Sequence, residues 1–347
     1  MIARDLCRWF IETESPGPAM RDDRIRLSEA KEAYRAFCET EPSVPIFSRA
    51  WWLDATAGPG NWQVALVTRN GKITAAMPYM IQRRYGLKVL GQPVLTPRLG
   101  PWFRPGEGKP ATRLAMEKEA MQALIDQLPP FDHFTQNWHY DCMNWLPFSW
   151  NGFQQTTRYT YVLPSLDSVE RLWSGLQHTT RAECKKASHR FGMQVIDTLP
   201  LDTFLALNRM TFARQGMAVP YSDAFVRRFD AACAERGCRT VLIAVDRHGR
   251  PAAGLYMVWD ENSAYGLMAG ADPEMRHSGA ASLCFWEAIQ RSSRLTRRFD
   301  FSGSMMQPVE RFFRGFGASL MPYSCISKSP SRLMRLRQSM LFAFKDQ

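Results

Sequence analysis

The sequence has no paired cysteine motif. Its eight cysteines include no C-x-x-C. The nearest two, Cys233 and Cys238, have no histidine at zinc-finger spacing. That speaks against a structural metal site and for free, mostly buried thiols in a reducing cytoplasm. No apolar run reaches the roughly 18 residues of a membrane span. Met1 to Met20 contains acids and lacks a long apolar core, so no signal peptide is expected. Lys/Arg blocks dense enough for a nucleic-acid arm are missing, which leaves DNA off the list of expected partners.

What remains is ordinary globular chain: 347 residues, 45% hydrophobic and 22% charged, enough for two domains or one large one. The net charge of +11 points to anionic partners. A phosphate-bearing cofactor, a nucleotide-linked sugar, RNA and an acidic membrane surface all qualify. Pro16, Gly17 and Pro18 mark residues 1–26 as a flexible extension. Residues 331–347 mix basic and apolar positions, as a terminal helix or a peripheral membrane contact would.

The periodicities predict an α/β protein of two similar halves, residues 27–165 and 166–330. Each half opens with helices and continues with a hairpin: Trp62–Thr68 and Lys72–Arg83 about Asn70-Gly71, then Arg239–Asp246 and Pro251–Trp259 about His248-Gly249. Further strands and a helix follow in both. Asp167 or Ser168 is expected to cap a helix at Val169, followed by a basic helix from His178 to about Gly192. The stretch Ser263 to Glu287 reads as a strand, a small-residue loop and a helix. Such a junction suits a phosphate, because the first helical turn has free N–H groups and the helix dipole favours an anion. Gly279 and Ala281 leave room for close approach, and Arg276 supplies positive charge.

The order of hairpin, third strand, loop R-x-x-G-x-A (Arg276, Gly279, Ala281), helix, strand and short helix resembles the acyl-CoA N-acyltransferase (GNAT) fold. Phe299-Asp300-Phe301-Ser302-Gly303-Ser304 with Phe312-Phe313-Arg314-Gly315-Phe316-Gly317 resembles the FDFxGS…FFRxFG signature of FemAB-like acetyltransferases, relatives of the Fem peptidoglycan aminoacyltransferases. Trp173, Thr180-Arg181 and Lys185-Lys186-Ala187 resemble the helix-hinge of that family. Asn61-Trp62, Pro78-Tyr79 and Leu95 to Trp102 resemble its first domain. The resemblance implies two tandem GNAT-like domains with mixed, mainly antiparallel sheets flanked by helices.

It also implies transfer of an acyl group, acetyl above all, from acyl-CoA to an amine of a cell-envelope amino sugar, amino acid or peptide, with no metal. The expected cofactor site is Ala269, Gly270, Arg276, Ser278, Gly279, Ala280 and Ala281. Asp300, with Glu310 next, is the expected acid–base residue, and the Tyr265 to Gly270 strand offers an N–H for the oxyanion. Arg98, Trp102, Arg181, Lys185, Tyr265, Phe313 and Arg314 are expected around the acceptor. Two residues depart from relatives: Phe313 stands where many GNAT enzymes have a proton-donating Tyr, and Arg314 where tRNA-dependent Fem enzymes tend to have Lys. Two other readings therefore stay open, an aminoacyl-tRNA-dependent transferase and a non-catalytic binding protein.

Overall fold

A computed structural model describes residues 21–331 except 107 and 304, without the side chains of 21–27 and 84. The expected tail lies outside these residues but for Ser331, as does the expected extension up to Met20. The chain divides into two compact units. Among the described residues the first comprises 21–158 and 322–331, the second 159–321.

The first unit opens with α1 (Arg21–Thr40) and α2 (Ala50–Ala57). α1 starts ahead of Ser28, where apolar spacing begins, because Arg21 to Arg26 extends it with charged residues that carry no periodicity. β1 (Trp62–Arg69) and β2 (Lys72–Arg84) form the expected hairpin. Asn70 (φ 50°) and Gly71 (φ 73°) are both left-handed, as a two-residue turn with the right twist requires. β3 (Leu87–Gly91), β4 (Trp102–Phe103), α3 (Pro110–Asp126), β5 (His133–Asn137) and α4 (Leu146–Trp150) follow. α4 has no signal in the sequence, since five residues give no readable helical period. Ala120, Met121 and Leu124 of α3 and Phe148 of α4 cover Ala75, Met77, Tyr79, Phe134 and Trp138 on one sheet face. Tyr34 of α1 and Leu53 of α2 cover Trp62, Val64 and Ala76 on the other.

β6 (Gln154–Leu163) leads the chain into the second unit. There follow α5 (Val169–Gly175), α6 (His178–Lys185), β7 (Gln194–Ile196), α7 (Leu201–Arg214) and α8 (Asp223–Glu235). Next are β8 (Arg239–Val245), β9 (Pro251–Trp259), β10 (Ser263–Ala271), α9 (Ala280–Ser292), β11 (Arg298–Asp300), α10 (Gln307–Arg314) and β12 (Ser319–Lys328). Ser168 caps α5 through the Arg171 N–H (3.2 Å). The basic helix does not run straight to Gly192: Lys186–Arg190 is wound as a π-helix. α9 and α10 pack on one face of the sheet through Phe285, Phe299, Phe301 and Phe313. α7 and α8 pack on the other, where Phe204 and Phe229 meet Tyr256 at ring-centroid distances of 6.0 and 5.8 Å.

The duplicated order is explicit. Hairpin, third strand, helix, parallel strand, short helix and final strand occur as β1-β2-β3-α3-β5-α4-β6 and again as β8-β9-β10-α9-β11-α10-β12. The final strands are exchanged: β6 pairs with β11, while β12 pairs with β5. Among the described residues, no helix is long and apolar enough to cross a membrane.

Candidate active site

β10 is paired on one side along its length and on the other only at its start. Antiparallel pairing to β9 runs from Ala264 to Ala271, and one extra residue, Leu267, bulges out between Gly266 and Met268. The parallel pairing to β11 covers Ser263, Ala264 and Tyr265 and stops at Tyr265–Asp300. Residues 266–271 of β10 thus run on past the end of β11. A strand edge released in this way presents backbone N–H and C=O groups that need other partners.

Past β10, Asp272 caps a 3-10 helix, Pro273–Ser278, through the Glu274 N–H (2.9 Å). This turn carries Arg276 and His277, both exposed. Ser278 Oγ donates to Met275 O (2.6 Å) and accepts from the Ala280 N–H (3.2 Å), so it satisfies the first donor of α9 itself. Gly279 is left-handed (φ 83°). A Cβ there would collide with the Glu183 carbonyl oxygen and lie 3.0 Å from its carbon. The space freed by this glycine is therefore taken by the backbone of α6. Gly270 behaves alike: a Cβ would meet the backbone of Leu207 and Asn208 in α7. The residues present thus fit an anion only on the outer side of the turn, where Arg276, the half-buried Ala281 and the helix dipole remain. Ala269, beside Gly270, is exposed, while its carbonyl accepts from Asn208 Nδ2 (2.8 Å).

The two expected acid–base carboxylates lie on opposite faces of β11. Phe299 and Phe301 point toward α9 and α10, with Phe301 5.7 Å from Phe285 and 4.9 Å from Phe313. Strand alternation sends Asp300 to the α7 side. It is fully buried, and its Oδ1 accepts from Thr160 Oγ1 (2.7 Å) and from the Ser302 N–H (2.7 Å). Ser302 (φ 60°) and Gly303 (φ 90°) are left-handed in succession, which is strained for the serine. Tyr265, 1% exposed and in register with Asp300, shares its face. Thr160, Tyr265 and Asp300 therefore meet where β10 and β11 part.

Glu310 sits on the α10 side. Its Oε1 accepts from the Tyr161 hydroxyl (2.6 Å) and from Arg314 Nε (2.9 Å). The Tyr161 bond, with Arg314 beside it, holds this carboxyl below its usual range. Burial and then Glu310 push the Tyr161 phenol up to about 12.

The other expected residues take varied places. Phe313 is in the aromatic core with Phe285, Phe301 and Phe312. Arg181 Nη1 donates to the carbonyls of Trp173 (3.3 Å), Ser174 (2.7 Å) and Leu176 (2.8 Å), closing the end of α5. Lys185 is exposed. In the first unit, Arg98 is 2% exposed, with its guanidinium over Tyr140 (5.5 Å) and Tyr323 (5.2 Å). Trp102 is buried and donates to Ser43 Oγ (3.1 Å). Thr160, Tyr161, Asn208 and Thr211 were not singled out from the sequence. Thr160 and Tyr161 fall in the stretch Phe153 to Leu163, whose strand alternation sends them to opposite faces.

Residues 176–314 match the acetyltransferase (GNAT) domain family. Among solved structures, FemX is similar, with a TM-score of 0.62 at 12% identity, covering 85% of this chain and 95% of FemX. L-PGS from Bacillus licheniformis aligns at 0.51 and 11% identity over 93% of this chain and 96% of its own. The C-terminal domain of a putative lysylphosphatidylglycerol synthetase from Agrobacterium fabrum aligns at 0.50 and 14% over 86% and 92%. A search by sequence among curated proteins gives no significant match. The chain has a GNAT-superfamily, Fem-like fold. It is an acyltransferase.

Proposed function

We propose that this acyltransferase moves an acyl group, acetyl by preference, from acyl-CoA to an amine of a cell-envelope amino sugar, amino acid or peptide in the cytoplasm. One observation carries the reading: β10 and β11 part at Tyr265–Asp300, and β10 runs on without β11 into the turn that opens α9. The donor thioester supplies an activated acyl carbon. Arg276 and the α9 turn attract its phosphates. Backbone N–H groups of residues 266–268 face the acyl oxygen. Asp300, oriented by Thr160 and Ser302, accepts the proton of the incoming amine on the α7 side; the C–N bond forms as the C–S bond breaks, and coenzyme A leaves as a thiolate that takes a proton from water. The envelope assignment follows FemX and the putative lysylphosphatidylglycerol synthetase, whose folds are similar. A nucleotide-linked acceptor and a peripheral membrane contact agree with the chain's positive charge.

A second reading, an aminoacyl-tRNA donor, is favoured by one specific feature. The Gly279 recess is filled by Glu183, while Lys185, His189 and Arg190 stand exposed along the end of α6 and the π-helix. Isothermal titration with acetyl-CoA, with coenzyme A and with charged tRNA separates the two. Binding of coenzyme A that weakens in Arg276→Ala supports the first. Binding of charged tRNA alone replaces it with the second. Turnover in Asp300→Asn is expected to fall roughly 100-fold or more; parent-level turnover removes Asp300 from the mechanism.

A further inference from the structure

We infer that Asn208 is a positioning residue that fixes the free edge of β10 and ties it to the α7–α8 loop. The inference rests on the proposed use of β10 in acyl transfer. Beyond Tyr265 the strand has lost β11, yet its far end is not loose. The Ala269 carbonyl accepts from Asn208 Nδ2 (2.8 Å), and the Ala271 N–H donates to Thr211 Oγ1 (2.9 Å). Both side chains come from α7, three residues apart and so on one helical face. A helix thus replaces a strand as the partner of residues 269 and 271. Gly270 lies between these bonds and lets the α7 backbone touch β10.

The orientation of Asn208 is determined by its neighbours. A carbonyl only accepts, so the amide nitrogen must face Ala269. Oδ1 then faces Tyr221, whose hydroxyl donates to it at 3.0 Å. Asn208 is 3% exposed, so these bonds are shielded from water. Tyr221 belongs to the loop between α7 and α8, and its ring lies against Phe212 (6.3 Å) and Phe225 (6.4 Å). A continuous path therefore runs from loop residue Tyr221 through one buried amide to the backbone of β10. It confines the unlatched part of the strand to the bulge at residues 266–268. Anything that reorders the loop, such as an amine acceptor lodged there, moves the strand through Asn208.

The test uses the full chain with Asn208→Asp and Tyr221→Phe. Asn208→Asp keeps the shape and the acceptor for Tyr221 but removes the N–H to Ala269. Expected are faster hydrogen exchange in residues 268–271 and a fall in kcat of roughly 10- to 100-fold, with donor KM changed by no more than about threefold. Tyr221→Phe removes one oxygen and shifts both readouts in the same direction by less. If Asn208→Asp fails to fold, Tyr221→Phe carries the test. Unchanged exchange in the folded variants overturns the latch. Faster exchange with parental kcat overturns its role in catalysis. Should the parent prove inert toward acyl-CoA, exchange alone decides whether Asn208 holds β10, so that failure stays separate from failure of the acyl-CoA reading.

Discussion

Gly279→Ala tests what the glycine of the R-x-x-G-x-A loop is for. Two penalties are expected. A left-handed φ of 83° costs an L-residue about 1–2 kcal/mol. The new methyl also meets the Glu183 carbonyl, with its carbon 3.0 Å away, and forced overpacking costs about 1–3 kcal/mol more. The sum is roughly 2–5 kcal/mol. Gly216→Ala is the control, because Gly216 is also left-handed (φ 65°) but nothing lies within 4 Å of its added Cβ. It should lose only the first term, about 1–2 kcal/mol. Urea denaturation followed by far-UV circular dichroism compares the two, and Gly279→Ala should be the less stable by at least about 1 kcal/mol. Equal losses would refute the reasoning: the recess would then not be held shut by α6. Equal losses with abolished coenzyme A binding would return Gly279 to the ligand.

Two pH responses follow. His133 is 8% exposed, and burial holds its pKa below the ordinary value. The folded state therefore resists a proton that the unfolded chain accepts. Stability is full above about pH 6.5 and declines as pH falls from there toward the lowered folded value. His133→Gln should flatten the urea midpoint between about pH 7.5 and about pH 5.5; an unchanged slope would assign the decline elsewhere. The Tyr161–Glu310 pair acts at both extremes. The lowered Glu310 value adds stability that is present above about pH 4.3 and lost as pH falls below it. The raised Tyr161 value, about 12, adds stability lost as pH climbs past about 10. Tyr161→Phe should weaken both dependences, and a parental acid limb in this variant would show that Glu310 does not need the phenol.

Local chemistry was well written in the sequence. Asn70-Gly71 specified a turn because both positions are left-handed. Ser168 specified a cap because its hydroxyl reaches the Arg171 N–H. Even the facing of Asp300 was present in the alternation Phe299-Asp300-Phe301. Less legible was anything set by a distant neighbour. A glycine looks the same whether a ligand or a helix comes close, and Gly270 and Gly279 both admit backbone from segments far earlier in the chain. Arg181 and Phe313 looked like acceptor-site residues because a basic or aromatic side chain does not announce its partner. One closes α5 and the other fills the core. The exchange of β6 and β12 was invisible because the alternation within a strand does not name its neighbour.

The motif residues nevertheless have a common physical logic. Gly315 lies where a Cβ would strike Thr180 Oγ1, and its carbonyl accepts from the Gln177 N–H (2.9 Å). Gly317 (φ 73°) would place a Cβ 2.6 Å from the Gly175 carbonyl oxygen. Gly279 does the same against Glu183, and Arg181 ties off the end of α5 from within. Three glycines from two motif stretches thus grip one short segment, the α5–α6 junction and the first turns of α6. At Gly279 and Gly317 the contact is backbone against glycine, so it cannot adjust by changing rotamer, while Gly315 faces the Thr180 hydroxyl. The direction of α6, and with it the position of Lys185 and the π-helix, is set by close packing against these glycines, by the Thr180 hydroxyl and by the Arg181 tie. A recurrent Gly in such a signature therefore informs first about how α6 is held, and only through that about what the neighbouring cations can bind.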